Sequence, residues 1–225
     1  MQGQKPPVFR CLGTLEREAR EAGYGLVAGV DEVGRGCLFG PVFAAAVILD
    51  PVRPITGLKD SKVLPESGRD ELAARIRERA IAFAIGAADP FEIDRINIYH
   101  ASRLAMKRAV NQLWPQPNFL LVDAVKLEVA LPQKAIIHGD ARSRCIAAAS
   151  ILAKTARDQC MGAWDAVFPQ YGLKHHKGYA TPEHRSALAL YGPTTLHRFS
   201  FEPVRAWRAQ TQAELFVETE PGVWI

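Results

Sequence analysis

At 225 residues the chain suits one main domain with a small appendage, since domains of roughly 100 to 200 residues are the norm. Apolar residues at 48% and charged residues at 23% exclude a disordered chain. A formal charge of +4 suits a polyanionic partner, and Lys59, Lys62, Arg142, Arg144, Lys154, Lys174 and Lys177 recur beside the acidic residues considered below.

Leu12 to Ala22 predicts a short amphipathic helix stopped by Gly23, and Leu26 to Asp31 a buried strand. Pro41 to Leu49 is a second strand. Asp50 to Leu64 is a loop, after which Ser67 caps a helix to about Ala80, with Leu72, Ile76 and Ala80 on one face. Ile81 to Ala88 is a third strand. Pro90 to Ile96 gives a helical turn, Tyr99 to Leu113 a longer helix, and Asn118 to Asp123 a strand ending on a carboxylate. Ala135 to His138 is a brief strand, and Ala141 to Asp158 a long Ala-rich helix. Shorter helices follow from Gly162, with a polar tail after Arg208. Strands in hairpin order, then strands separated by helices, predict a mixed α/β sheet flanked by helices, with a small C-terminal helical appendage.

Cys11, Cys37, Cys145 and Cys160 form no CxxC pair, which implies a reducing compartment. The longest apolar stretch, Cys145 to Ala153, is shorter than the ~20 residues that span a bilayer, and the N-terminus has no hydrophobic signal region. The expectation is a soluble, cytoplasmic chain, and nothing in it demands more than a monomer.

The chemistry concentrates at Asp31 and Glu32, which end an apolar strand and are followed by Gly34-Arg35-Gly36. Neighbours on a strand point to opposite faces, so the two acids can share a site only if the chain turns there, as Gly34 and Gly36 would permit. Gly34, Gly36 and Gly40 also evoke a dinucleotide fingerprint, but that motif must open a helix, and the β-branched and aromatic run from Pro41 follows instead. A hairpin turn with solvated acids leaves Arg35 between two glycines unexplained. His175, His176, His184 and His197 lack the partner cysteines and spacing of a zinc site, and are expected to line a nucleic-acid face.

The run Gly29 to Pro41 resembles the opening motif of bacterial ribonuclease HII. Further matching segments follow in order: Gly57 to Lys62, Glu92 to Asp94 with Asn97-Ile98, Leu121 to Asp123, Gly139-Asp140, Ala148 to Lys154 with Arg157-Asp158, Tyr171-Gly172, His176 to Tyr179, His197-Arg198 and Ser200-Phe201. The resemblance implies a ribonuclease H-like catalytic domain over 26–160, preceded by a segment and short helix over 1–25 and followed by a helical appendage over 161–208 and a tail over 209–225. It implies a metal-dependent endonuclease that cuts the RNA of RNA/DNA hybrids and incises at ribonucleotides embedded in duplex DNA, leaving 3′-hydroxyl and 5′-phosphate ends.

Phosphodiester hydrolysis of this kind uses two Mg²⁺ or Mn²⁺ ions held by oxygen ligands. Asp31, Glu32 and Asp123 carry over from the family motifs. On local sequence Asp140 is equally a helix N-cap or a ligand, and the resemblance assigns it to the site. In an unbroken helix Asp158 lies about 27 Å from Asp140, so it is read as an ion-pair partner. The resemblance also gives Gly34, Arg35, Gly36 and Tyr179 the ribonucleotide junction, while Lys59, Ser61 and Lys62 are expected on backbone phosphates. Gln212 to Phe216 is similar to the short peptide by which bacterial repair enzymes engage the sliding clamp; the alternative is a tail folded onto the domain. Two competing functions stay open: a DNA nuclease or recombinase of similar fold, and a non-catalytic module that binds RNA/DNA hybrids.

Overall fold

The computed structural model describes residues 11–58, 61 and 64–215, the last six by backbone alone. Helix α1 (Thr14–Glu21) leads into strands β1 (Val27–Val33) and β2 (Val42–Ile48). Helix α2 (Glu66–Arg79), strand β3 (Ala82–Ala88), helix α3 (Pro90–Asn111) and strands β4 (Phe119–Asp123) and β5 (Gln133–Ile136) follow. The chain continues with α4 (Gly139–Arg142), α5 (Arg144–Val167), a 3₁₀ turn at Pro169–Tyr171, α6 (Leu173–His176), α7 (Pro182–Tyr191) and α8 (Glu202–Leu215).

The five strands form one sheet in the order β3-β2-β1-β4-β5. The β1–β2 and β2–β3 pairs are antiparallel. The β1–β4 and β4–β5 pairs are parallel, so the mixed sheet expected from the element order is present. Helix α3 covers one face, burying Ala101, Ala105, Met106 and Ala109 against Ala28, Val30, Ala44 and Ala46. Helices α2 and α5 cover the other, where Leu72, Ile76, Ala148 and Leu152 pack with Ala45 and Val47.

Small residues set how close these layers come. A Cβ on Gly29 would lie 2.1 Å from the Cys145 carbonyl carbon, and one on Gly86 would lie 2.2 Å from the Ala105 oxygen. Each glycine therefore lets a helix backbone sit directly on the sheet, α5 on one face and α3 on the other. Residues two apart on a strand share a face, so Asp31 is turned toward α5 with Gly29.

Four local readings are corrected. Pro65, not Ser67, is the N-cap of α2, and no side chain caps it. The predicted single helix from Ala141 is broken at Ser143, which is extended (φ −116°, ψ 132°) and caps α5 through a hydrogen bond from the Ile146 amide. Helix α5 then runs past Asp158 and through Gly162 to Val167, a lone glycine costing a helix only about 1 kcal/mol, and ends at Phe168-Pro169. Helix α8 continues through Leu215, beyond the expected start of the tail. The expected division of α3 is present: Asn97 has φ 64° inside it, and its Oδ1 accepts the amides of Tyr99 and His100, restarting the helix.

Candidate active site

The β1–β4 register pairs Val30 with Val122, which places Asp31 and Asp123 one residue further along at the C-terminal ends of adjacent parallel strands. Ligands in α/β sheets bind outside such ends. Oxygens of Asp31, Glu32 and Asp123 all lie within 4.8 Å of one another. The chain does not turn at Asp31, as the sequence suggested it must. Both acids are in regular strand, paired with Ala45 and Ala44, and the turn comes at Gly34. Asp31 Oδ1 accepts the Glu32 amide at 2.8 Å, which bends its carboxylate toward the strand end where the longer Glu32 side chain meets it.

Asp140 stands beside this trio. Its neighbour Gly139 donates its amide to Asp123 Oδ1 at 2.7 Å, and a Cβ at that position would lie 2.6 Å from Ile146 Cδ1. Asp140 is buried, and its charge reaches Asp31. The one-turn α4, separate from α5, carries Asp140 in its first turn, so Asp140 does not cap the long helix. Asp158 lies within α5, paired with Lys154 at 2.6 Å and Arg69 at 3.2 Å, in keeping with a structural ion pair.

Burial, the Glu32 and Asp123 charges and, more weakly, Asp140 raise the Asp31 carboxyl well above the usual range; a Ser150 hydrogen bond opposes them. Burial also raises Glu32, while Arg35 draws it down, at 3.3 Å in the structure. Such crowding of acids is unfavourable unless a cation shares the site. The donors are all carboxylate oxygens, a set that fits Mg²⁺ or Mn²⁺ and disfavours softer metals.

Beyond the strand end, Gly34 has φ 89°, and a Cβ there would lie 2.2 Å from Arg157 Nε, so the fold itself demands glycine. Gly36 differs from the sequence expectation: its φ is not positive, and nothing lies within 4 Å of an added Cβ. It leaves bare backbone facing solvent for a reason the fold does not supply. The turn is tied to the segments that flank α7 by the Cys37–Tyr179 and Phe39–His197 bridges. Leu38 N donates to Gly178 O, and Arg198 Nη1 donates to Arg35 O. Tyr179, 40% exposed, is thereby held across from the Gly-Arg-Gly turn.

Two expectations fail here. Ser61 is buried, and its hydroxyl is shared with Ser150 at 2.8 Å, so it has no face for a phosphate and instead supports the residue that bonds Asp31. His184 and His197 are fully buried and line no nucleic-acid face; of the four, His175 is exposed and His176 half-buried. Lys59 and Lys62 lie outside the described residues. Missed from sequence were Ser150 and two buried arginines. Arg157 donates to the carbonyls of Phe39, Pro41 and Lys177, and Arg198 to those of Arg35 and Gly40. The available signal was an arginine inside an apolar, Ala-rich helix.

Ala124, just after Asp123, has φ 53°, a region glycine enters with less strain. Ala124→Gly is expected to stabilise the protein by about 0.5 to 1 kcal/mol, less strain being partly offset by chain entropy. Thermal melting should rise by about 2 °C; a fall would show that the alanine is not strained.

A carboxylate cluster at the ends of parallel strands, on a sheet of this topology, defines the ribonuclease H-like class of fold. The family model described as Ribonuclease HII matches residues 28–204. A ribonuclease HII of Solibacter usitatus is 66% identical over 198 residues, 88% of this chain and 87% of that protein. The crystal structure of ribonuclease H2 from Pyrococcus horikoshii aligns with a TM-score of 0.72 at 25% identity, covering 83% of this chain and 98% of that one. The ribonuclease HII of Archaeoglobus fulgidus, solved as a complex with PCNA, has the same fold, with a TM-score of 0.66 at 24% identity and coverage of 87% and 98%. The chain belongs to the ribonuclease HII family.

Proposed function

We propose that this chain hydrolyses the RNA strand of RNA/DNA hybrids and incises duplex DNA at embedded ribonucleotides, leaving 3′-hydroxyl and 5′-phosphate ends. The observation that carries this reading is the convergence of Asp31, Glu32 and Asp123 at one strand end, beside a bare Gly36 and an exposed Tyr179.

Asp31, Glu32, Asp123 and Asp140 would hold divalent Mg²⁺ or Mn²⁺. When bound, such ions lower the pKa of water and stabilise charge on phosphate oxygens. The protein's own part is positional. Ser150, backed by Ser61, orients Asp31. Arg35 offsets the Glu32 charge and keeps that side chain at the strand end. The Gly139 amide fixes Asp123. The backbone around Gly34, Arg35 and Gly36 can approach a ribose 2′-hydroxyl, the group that separates RNA from DNA, and Tyr179 would pack against the sugar of the following deoxyribonucleotide. Lys59 and Lys62 are assigned to backbone phosphates, which add affinity without sequence preference.

The test is incision of a labelled duplex carrying one ribonucleotide, with and without EDTA. Cutting beside the ribonucleotide that stops in EDTA is expected. Cutting of plain DNA would favour a nuclease that ignores the ribose, and metal-independent binding without turnover a hybrid-binding module. Tyr179→Ala should lower incision about tenfold or more while duplex affinity changes little; equal losses would mean that Tyr179 merely packs.

A sliding clamp is the proposed partner. The Archaeoglobus relative was solved with PCNA, and Gln212 to Phe216 has the polar-then-apolar pattern such docking uses. The backbone from Gln212 to Leu215 is in α8, and Phe216 lies outside the described residues. Purified clamp should retain the full chain and release one ending at Gln210; equal recovery would remove the motif.

A further inference from the structure

We infer that His176, His184 and His197 are positioning residues that hold the Tyr179 main chain through a hydrogen-bond relay of fixed direction. This rests on the role proposed for Tyr179 and adds the device that places it.

The relay follows from the polarity of its ends. The Tyr179 carbonyl can only accept, so His184 Nδ1, 2.9 Å away, carries a proton. In the neutral ring His184 Nε2 is then bare, and it lies 3.2 Å from His197 Nε2, which must donate. His197 Nδ1 is left bare and accepts the Thr194 amide at 3.0 Å, a group that can only donate. A carbonyl at one end and an amide at the other leave one arrangement of protons for two neutral rings, and every ring nitrogen is used. His176 completes the grip. Its Nε2 lies 2.7 Å from the Tyr171 carbonyl and must donate, so its bare Nδ1 accepts the Gly178 amide at 3.2 Å. Its ring stacks on His184 with centroids 4.5 Å apart.

Gly178 and Tyr179 are therefore held by two stacked imidazoles, the first by its amide and the second by its carbonyl. On the opposite side Leu38, close to the Gly-Arg-Gly turn, donates its amide to Gly178 O at 2.8 Å. A core needing only bulk would use apolar side chains, since buried polar rings stabilise only when fully partnered. These rings are fully partnered, and their bonds converge on the two residues that present an exposed aromatic ring to the turn.

The test is a double-mutant cycle on single-ribonucleotide incision, with His184→Leu and Tyr179→Ala alone and combined. His184→Leu is expected to lower kcat about tenfold, a fraction of the effect that ~1 Å of misplacement can have. It should cost nothing further once Tyr179 is alanine. His184→Asn, whose amide can still donate to the Tyr179 carbonyl, should recover most of the rate. An equal loss in both backgrounds would overturn the relay as a positioning device, as would an unchanged rate in His184→Leu. No loss in Tyr179→Ala alone would overturn the Tyr179 role itself and with it this one. Because His184→Leu can fail to fold, ¹⁵N spectra of the wild-type rings give a second readout. His184 is expected protonated at Nδ1 and His197 at Nε2; the reverse assignment overturns the relay directly.

Discussion

Asp31→Asn is expected to melt above the wild type in EDTA while losing on the order of 10³-fold of its metal-dependent cleavage, since several kcal/mol of charge stabilisation is at stake. In metal-free protein Asp31 is buried and faces Glu32 and Asp123, with Asp140 adding to the repulsion. A carboxyl whose pKa is raised on folding contributes stability only while protonated, and that contribution is lost as pH rises through its folded value. At neutral pH, far above the unfolded value, the carboxyl is therefore a liability until a cation arrives. Asparagine keeps an oxygen to accept the Glu32 amide, 2.8 Å away in the wild type, but carries no charge. Added Mn²⁺ should raise the melting temperature of the wild type far more than that of the variant. A variant that melted below the wild type in EDTA would show that the carboxylate stabilises the fold, and wild-type turnover would remove Asp31 from the site.

The sheet was legible because its strands are short apolar runs bounded by Gly, Pro and charged residues, and Asp123 could be placed because the run Phe119 to Val122 ends on it. What could not be read was whatever depends on a partner distant in sequence. The spacing of Gly29 says nothing of Cys145, yet that contact brings α5 close enough for Ser150 to meet Asp31. Ser61 and Lys62 look alike as loop residues beside acids, but Ser61 turns inward onto a residue 89 positions away. The break at Ser143 was hidden because helical periodicity continues across it. There Ser143 Oγ donates to the buried Glu16 while accepting the Ile146 amide, a choice made by tertiary structure. The histidines were misplaced for a related reason: polar residues near a nucleic-acid motif suggest an outer face, whereas these satisfy one another inside.

That interior placement predicts acid lability. Burial depresses His184 to about 4 and His197 to about 3, and each is fully buried. A histidine whose folded pKa lies below its unfolded value of about 6.5 contributes stability above that value and loses it as pH falls, because only the unfolded chain readily binds the proton. Each ring can remove up to about 1.4 kcal/mol per pH unit, so the pair should remove about 4 kcal/mol between pH 7 and pH 5. That is a large part of the 5–15 kcal/mol typical of a folded chain. Charging either ring also destroys the relay, since a protonated His184 cannot accept from His197. Glu92 and Glu183, whose folded pKa values are lowered, lose their contributions only below this window. Asp31 and Glu32 oppose the trend, each gaining stability on protonation, so the slopes are compared in the Asp31→Asn background, where Glu32 contributes alike with and without His197. Urea unfolding followed by circular dichroism from pH 7 to pH 5 should show the steep loss, and His197→Asn should make the slope shallower by about half. An identical slope in His197→Asn would mean that the two rings do not set the acid limit of this fold.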